Sequence, residues 1–290
     1  METENLTELI DTKSTIYRDG IYADKKIAEK TVWDKLAVEN PTHAVISARD
    51  EKEALEKSAD QMADIRRHLS SDDILLDCGT GYGRVAKYLL PEMQLKGYVG
   101  LDSAYQMLSL FRDRYEDNPV EKQTPLLLVN GDIDGMPLVD NSVDKAIISA
   151  VYLHNHKSIV EKAVKDLFRV MKPEGKALVY SSFPRAVSLM GIQGLAYQAL
   201  LNLLGKPYKN GPVRYYRKKE IDRLFADFSE IEIIPIGYEL LPKRIIILPK
   251  FIDKWWRILI AKPINSLLEK VTPNILKPYF AAYFDVVAIK

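Results

Sequence analysis

Apolar residues fall in short blocks along this chain, and the spacing within each block predicts an element. The runs Ile74-Leu75-Leu76, Leu126-Leu127-Leu128-Val129, Ala146-Ile147-Ile148 and Ala177-Leu178-Val179-Tyr180 are continuous, and Gly97-Tyr98-Val99-Gly100-Leu101-Asp102 reads as a further short strand that ends in an acid. Continuous runs of that length are expected of strands covered on both faces. Between them, apolar positions three and four apart predict helices, most clearly Val160, Val164, Leu167, Phe168 and Met171 within 159–171. A turn over 172–176, with Pro173 and Gly175 as breakers, separates that helix from the next strand. Strand and helix alternate from 74 to 180, the pattern of a doubly wound parallel sheet in the α/β class.

On either side the pattern changes. Residues 12–69 read as helical, from the spacing in 32–37 and in 51–69, with Pro41 between them. Residues 186–205 carry no charge, and Gln193, Gln198, Asn202 and three glycines favour a buried or lid helix there over a membrane span. A loop to 212, a helix ending near Phe228 and an alternating strand over 230–235 follow. Ile252, Trp255, Trp256 and Leu259 keep helical spacing in a basic stretch, 243–262, which has six Lys or Arg against Asp253. Pro263, Pro273 and Pro278 break what comes next, and 280–289 reads as a last strand. The organisation expected is a helical N-terminal segment over 1–70, a core over 71–182, a cap insertion over 183–212, and the rest of the core over 213–290, interrupted by a basic aromatic insertion at 239–280.

Composition narrows the chemistry. An apolar fraction of 47% with 28% charged in 290 residues is ordinary globular material. Lys and Arg number 41 against 40 Asp and Glu, so extended binding to nucleic-acid phosphates is not expected. One cysteine, Cys78, excludes an internal disulfide framework, and four scattered histidines have no zinc spacing. With acids from Glu2 onward and no basic-then-apolar leader, the expectation is a cytoplasmic protein.

The chemistry concentrates at the ends of the apolar runs. Behind Ile74-Leu75-Leu76 stands Asp77, then Gly79, Gly81 and Gly83 at every second position, then an apolar-periodic segment. This reads as strand, tight loop and helix start, where bare backbone lets a ligand come close. A dinucleotide fingerprint would place a third glycine where Arg84 stands, which argues against NAD. Asp102 closes the second run twenty-three positions beyond Gly79, near the roughly twenty at which an acid meets ribose hydroxyls. Ser103 after it is in position to cap the next helix. Asn130 closes the third run ahead of Gly131-Asp132-Ile133, and the fourth opens onto a loop with His154 and His156, either able to serve as general base.

Taken together, the glycine loop with Asp77, the acid Asp102, Gly131-Asp132 with Pro137, the segment Asn141-Ser142-Val143-Asp144 and the stretch 169–179 resemble class I S-adenosylmethionine-dependent methyltransferases, of the methyltransferase type 11 kind. The resemblance implies a seven-stranded, mostly parallel sheet with its last strand antiparallel, a helical N-terminal lid, and S-adenosyl-L-methionine as cofactor. It implies a cofactor set of Asp77, Gly79, Thr80, Gly81, Gly83, Asp102, Ser103, Met107, Asp132, Ile133 and Ser149, with Asp132 accepting from the adenine amino group and Ile133 against the ring. His154 and Tyr215 are the candidates for catalysis, and Arg214, Tyr215 and Tyr216 for contacts to the acceptor. The acceptor expected is a small molecule or lipid-like. The two alternatives are an NAD-linked oxidoreductase and a non-catalytic protein of the same fold held at a membrane through 243–262. Oligomeric state and acceptor atom are not specified by any motif.

Overall fold

The computed structural model describes residues 6–25, 51–205, 213–238, 240–241 and 250–290. Expectations for 32–37, for the loop 206–212 and for 243–249 lie outside them. The chain divides into two compact units. The first holds Met1–Ile148, Ile159–Leu178 and Ile289–Lys290, and the second holds Ser149–Ser158 and Val179–Ala288.

In the first unit the strands are β1 (Thr15–Arg18), β2 (Ile21–Asp24), β3 (Ile74–Cys78), β4 (Gly97–Asp102), β5 (Leu126–Asn130) and β6 (Val143–Ser149), followed by the start of β7 (Met171–Pro184). Their order is β1-β2-β5-β4-β3-β6-β7. β3 lies centrally, parallel to β4 on one side and β6 on the other, with Asp77 opposite Gly100 and Ile147. All five of its residues are buried, which explains its unbroken apolar run. β5 continues the parallel order beside β4 and pairs Asn130 with Asp102, so the ends of β3, β4 and β5 come out side by side. The helices are α1 (Glu51–Arg67), α2 (Arg84–Leu89), α3 (Tyr105–Asp117) and α4 (Lys157–Val170). α4 buries Val160, Val164 and Leu167 of the predicted stripe together with Ala163 and Val170, while Phe168 is half-buried and Met171 already begins β7.

Three expectations are corrected here. The first concerns 12–69, read as helical throughout. Of the described residues only α1 is helical, while 15–24 form a hairpin whose second strand adds parallel to the edge of β5. Asp19-Gly20 is the cause. Both residues take positive φ, 49° and 80°, and join Arg18 to its partner Ile21 through two residues, the geometry that matches strand twist. The hairpin brings the strands to nine among the described residues, two more than the seven expected. The second concerns 172–176, expected as a turn. The backbone is already extended from Met171, and Glu174, at φ 62°, and Gly175 exchange backbone hydrogen bonds with Lys290 at 3.3 and 3.0 Å. Strand partners there outweigh the local breakers.

In the second unit the strand order is β7-β9-β8, with β8 at Glu230–Tyr238 and β9 at Ala281–Ile289. β9 runs antiparallel to β7, as Arg185 N–H to Ala282 C=O at 2.8 Å continues, further along, the pairing of Gly175 with Lys290. The helices are α5 (Leu189–Leu203), α6 (Lys218–Leu224), α7 (Lys250–Trp255) and α8 (Lys262–Val271). The core is aromatic: Phe183 lies 5.6 Å from Tyr152, 5.0 Å from Tyr216 and 6.1 Å from Phe225, ring centre to ring centre. The third correction falls in this unit. Pro263 does not break the chain, because a π-helical turn over Trp256–Ala261 joins α7 to α8 and Pro263 occupies the first turn of α8, where its missing N–H is not needed. No helix among the described residues is long and apolar enough to cross a membrane.

Candidate functional site

The site grows from the way the glycine loop is tied down. Gly79, Gly81 and Gly83 all have positive φ, at 72°, 57° and 77°, a left-handed course that residues with a Cβ avoid. Gly79 N–H and Thr80 N–H both donate to Leu101 C=O, at 2.7 and 3.0 Å, which lays the loop over the end of β4. Below it, Asp77 is buried and its Oδ2 accepts from Thr80 Oγ1 at 2.7 Å and from Tyr98 OH at 2.6 Å. Asp77 and Thr80, expected in the cofactor set, therefore bond each other and hold the loop from inside. Burial keeps the Asp77 carboxyl above its ordinary value, with the two hydroxyl donors and Arg84 opposing the shift.

That shift has a measurable sign. A carboxyl raised in the fold binds its proton more tightly there than in the unfolded chain, so it subtracts stability as pH rises from its ordinary value of 3.8 through the folded value. Asp77→Asn should flatten this part of the profile, seen as a smaller fall in the urea midpoint over that range. An unchanged slope would mean that the carboxyl titrates normally.

Asp102 joins the loop to the next strand. Its Oδ2 accepts from Gly81 N–H and its Oδ1 from Ala104 N–H, both at 2.8 Å, and the side chain is half-buried. The helix cap expected of Ser103 is not formed. Ala104 is the N-cap of α3 without a side-chain bond, and the Asp102 carboxylate satisfies its N–H instead. From β5, Gly131 N–H donates to Asp102 C=O at 3.1 Å, and Asn130 Nδ2 donates to the carbonyls of Asp102 and Ser103 at 3.0 and 2.9 Å. The strand ends carrying Asp77, Asp102 and Asp132 are thus stitched into one rim. Asp132 is exposed on that rim, Ile133 beside it half-buried. The Asp132 carboxyl is held above its ordinary value by the surrounding protein first, then by Asp134 and Asp24. Met107, expected against the cofactor, is fully buried in a cluster with Tyr82 and Ala104.

Several supporting residues were not legible as motif. A Cβ on Gly83 would come within 2.5 Å of the Phe111 ring, so that ring fills the space beneath the loop. Arg114 donates to Tyr82 C=O at 2.5 Å and Gly83 C=O at 3.1 Å, pairs with the buried Glu121 at 3.0 Å, and lies 4.8 Å over the Phe111 ring. Arg84, where a dinucleotide loop would carry glycine, is buried and donates to Ser58 and Gln61 of α1, both at 3.1 Å. These contacts join positions 23 to 32 residues apart in sequence, a separation at which no local pattern announces a partner. Burial, with Asp77 and Asp166 beside it, pushes the Cys78 thiol well above its ordinary range, which leaves it a core residue.

The remaining expected residues belong to the second unit. Ser149 ends β6 and is half-buried. His154 sits on a short 3-10 turn, half-buried, and burial lowers its pKa, which keeps the ring neutral at pH 7. Leu153 C=O accepts from Arg214 N–H at 2.7 Å. The half-buried Arg214 has a buried Nε with no hydrogen-bond partner. Tyr215 lies with its hydroxyl end against Gly194 of α5, so close that a Cβ there would overlap it. Tyr216 is buried in the aromatic core under Lys157, whose Nζ is 4.9 Å from the ring centre. Of the three acceptor candidates, Tyr216 is therefore a packing residue.

Residues 76–179 match the family model described as a methyltransferase domain. The Bacillus subtilis protein YcgJ, named a methyltransferase, is 29% identical over 109 residues, 38% of this chain and 40% of that one. A protein of Encephalitozoon cuniculi, also named a methyltransferase, is 32% identical over 114 residues, 39% of this chain and 47% of its own length. The chain thus spans less than half the length of these relatives. Among solved structures, a Haemonchus contortus phosphoethanolamine N-methyltransferase 2 in complex with phosphomonomethylethanolamine and S-adenosylhomocysteine shares 16% identity at a TM-score of 0.50, over 80% of this chain and 53% of that one. That likeness is one of fold.

Proposed function

We infer that this chain, a class I S-adenosylmethionine-dependent methyltransferase by its residues 76–179, transfers a methyl group to a small-molecule or lipid-like acceptor. The observation that carries the reading is Asp102 at the end of β4, whose two oxygens accept from Gly81 and Ala104 and so fix the carboxylate beside the glycine loop, where an acid suits the hydroxyls of a ribose. Bound S-adenosylmethionine would supply an activated methyl on a sulfonium that leaves readily. The protein's part is to hold and to orient. The backbone of 79–83 receives the amino-acid end, Asp102 the ribose, Asp132 the adenine amino group, and Ile133 one face of the ring. A carboxylate at 132 can accept from a neutral amine.

In the second unit the reading assigns proton acceptance to His154, on its neutral ring. Arg214, with an unsatisfied Nε, suits an anionic group on the acceptor. The uncharged α5, which exposes Ile192, Leu200 and Leu203, supports the lipid-like end of the acceptor range. The NAD reading is disfavoured by Arg84, which occupies with a buried guanidinium the place where close helix packing asks for glycine.

Calorimetric titration with S-adenosylhomocysteine should give a Kd on the order of micromolar. A larger thermal shift with NADH than with S-adenosylhomocysteine, or no heat at millimolar ligand, would overturn the reading. His154→Gln should leave that affinity unchanged and lower incorporation of labelled methyl into a lipid and metabolite panel about 10²-fold.

A further inference from the structure

The second unit contains a helical arm with more apolar surface than its own fold uses. From Lys250 to Val271 the chain is continuously helical through α7, the π turn and α8. One stripe of the arm is fastened down. Ala261 and Asn265 are buried, and the Asn265 amide accepts from Leu240 N–H at 3.0 Å and Leu241 N–H at 2.7 Å and donates to Leu241 C=O at 2.8 Å. At the far end Tyr238 OH meets Thr272 Oγ1 at 2.8 Å. The opposite side is apolar and open: Trp255 is 62% exposed, Leu259 59%, Leu267 61% and Val271 66%. Their spacing of four, eight and four keeps them on one line once the wider π turn is counted. Lys254, Lys262 and Lys270, all exposed, flank that line, while Arg257, two residues from both Trp255 and Leu259, projects from the other side.

We propose that this arm lies flat on an anionic lipid surface, with Trp255, Leu259, Leu267 and Val271 in the acyl boundary and Lys254, Lys262 and Lys270 at the headgroups. Three features select a bilayer over a second protein. Residues 250–271 hold five basic against two acidic residues, a charge complementary to anionic headgroups. Lysine is depleted at the centre of protein interfaces, whereas an amphipathic helix with Trp on one face and Lys or Arg beside it is the form that binds in the interfacial plane. The arm is also too short in uninterrupted apolar sequence to span, so lying on the surface is the membrane mode left to it. The inference rests on the arm alone and does not depend on the methyl-transfer reading.

Sedimentation of the full chain with vesicles tests it. Phosphatidylcholine containing about one-third phosphatidylglycerol should bind at least about tenfold more protein than phosphatidylcholine alone, and about 1 M salt should remove the difference. Leu267→Ser with Val271→Ser should weaken binding at least about tenfold. Lys254→Gln with Lys262→Gln and Lys270→Gln should weaken it about fivefold for each cation removed. All five positions are exposed, so circular dichroism should show both variants folded. Failure of the wild type to sediment with anionic vesicles, or equal sedimentation of both variants and wild type, overturns the proposal. So does a dimer in analytical ultracentrifugation that the apolar variant dissociates while vesicles bind neither protein.

Discussion

Gly83→Ala should lower the melting temperature by at least about 5 °C and weaken binding at the neighbouring rim. Two costs add. A residue with a Cβ at φ 77° pays about 1–2 kcal/mol for the left-handed backbone. The new methyl also meets the Phe111 ring at 2.5 Å, where overfilling a close-packed site adds about 1–3 kcal/mol. The ring cannot retreat freely, because Tyr98 stands edge-on to it at 6.0 Å and Arg114 covers it. Phe111→Leu in the same chain should recover part of the loss, and the double-mutant cycle would measure that coupling. Gly135→Ala is the matched control, since nothing lies within 4 Å of the added methyl, and it should be silent. A Gly83→Ala protein that melts with the wild type would show that the ring does not support the loop.

The second large effect is expected at Asp102. Asp102→Ala removes the acceptor from Gly81 N–H and Ala104 N–H together, and by the proposed reading the ribose contact as well. Hydrogen bonds to a charged group are each worth about 1.5–3 kcal/mol, so affinity for S-adenosylhomocysteine should fall about 10³-fold in calorimetry. Asp102→Asn keeps one acceptor and turns the other into a donor facing an N–H, and it should fall between alanine and wild type. The structural part is separable from the ligand part. Loss of thermal stability without ligand reports the two backbone tethers, and the further loss with ligand reports the ribose. Binding within about threefold of wild type in the alanine protein would remove Asp102 from the site.

How much of this was legible beforehand depended on the range of the interaction. The glycine loop and the acids 102 and 132 could be read because each stands at or just past the end of an apolar run, and a run buried on both faces has one simple signature. The hairpin 15–24 was missed although part of its signal was present: Asp19-Gly20 between two short stretches rich in β-branched and aromatic residues is a hairpin mark, but those four-residue strands do not alternate and were read as part of a longer helical pattern. Pro263 was over-read, since a proline stops a helix only where its nitrogen would have donated. Met107, implied by the resemblance as part of the cofactor set, lies buried on α3 with Tyr82 and Ala104, a grouping that no local pattern announces.

The order of residues alone determined the alternation of strand and helix, the positions of the left-handed glycines, and the acids that close β4 and the β5 loop. Those follow from periodicity and from backbone sterics, which act over a few neighbours. Tertiary structure decided what each acid does. Burial beside Tyr98 and Thr80 makes Asp77 a brace, two N–H groups make Asp102 the junction of loop and helix, and Phe111 and Arg114 reach the loop from some thirty residues away. Such contacts depend on which surfaces meet in space, and the free energy of a buried polar group is set by the partners it finds there.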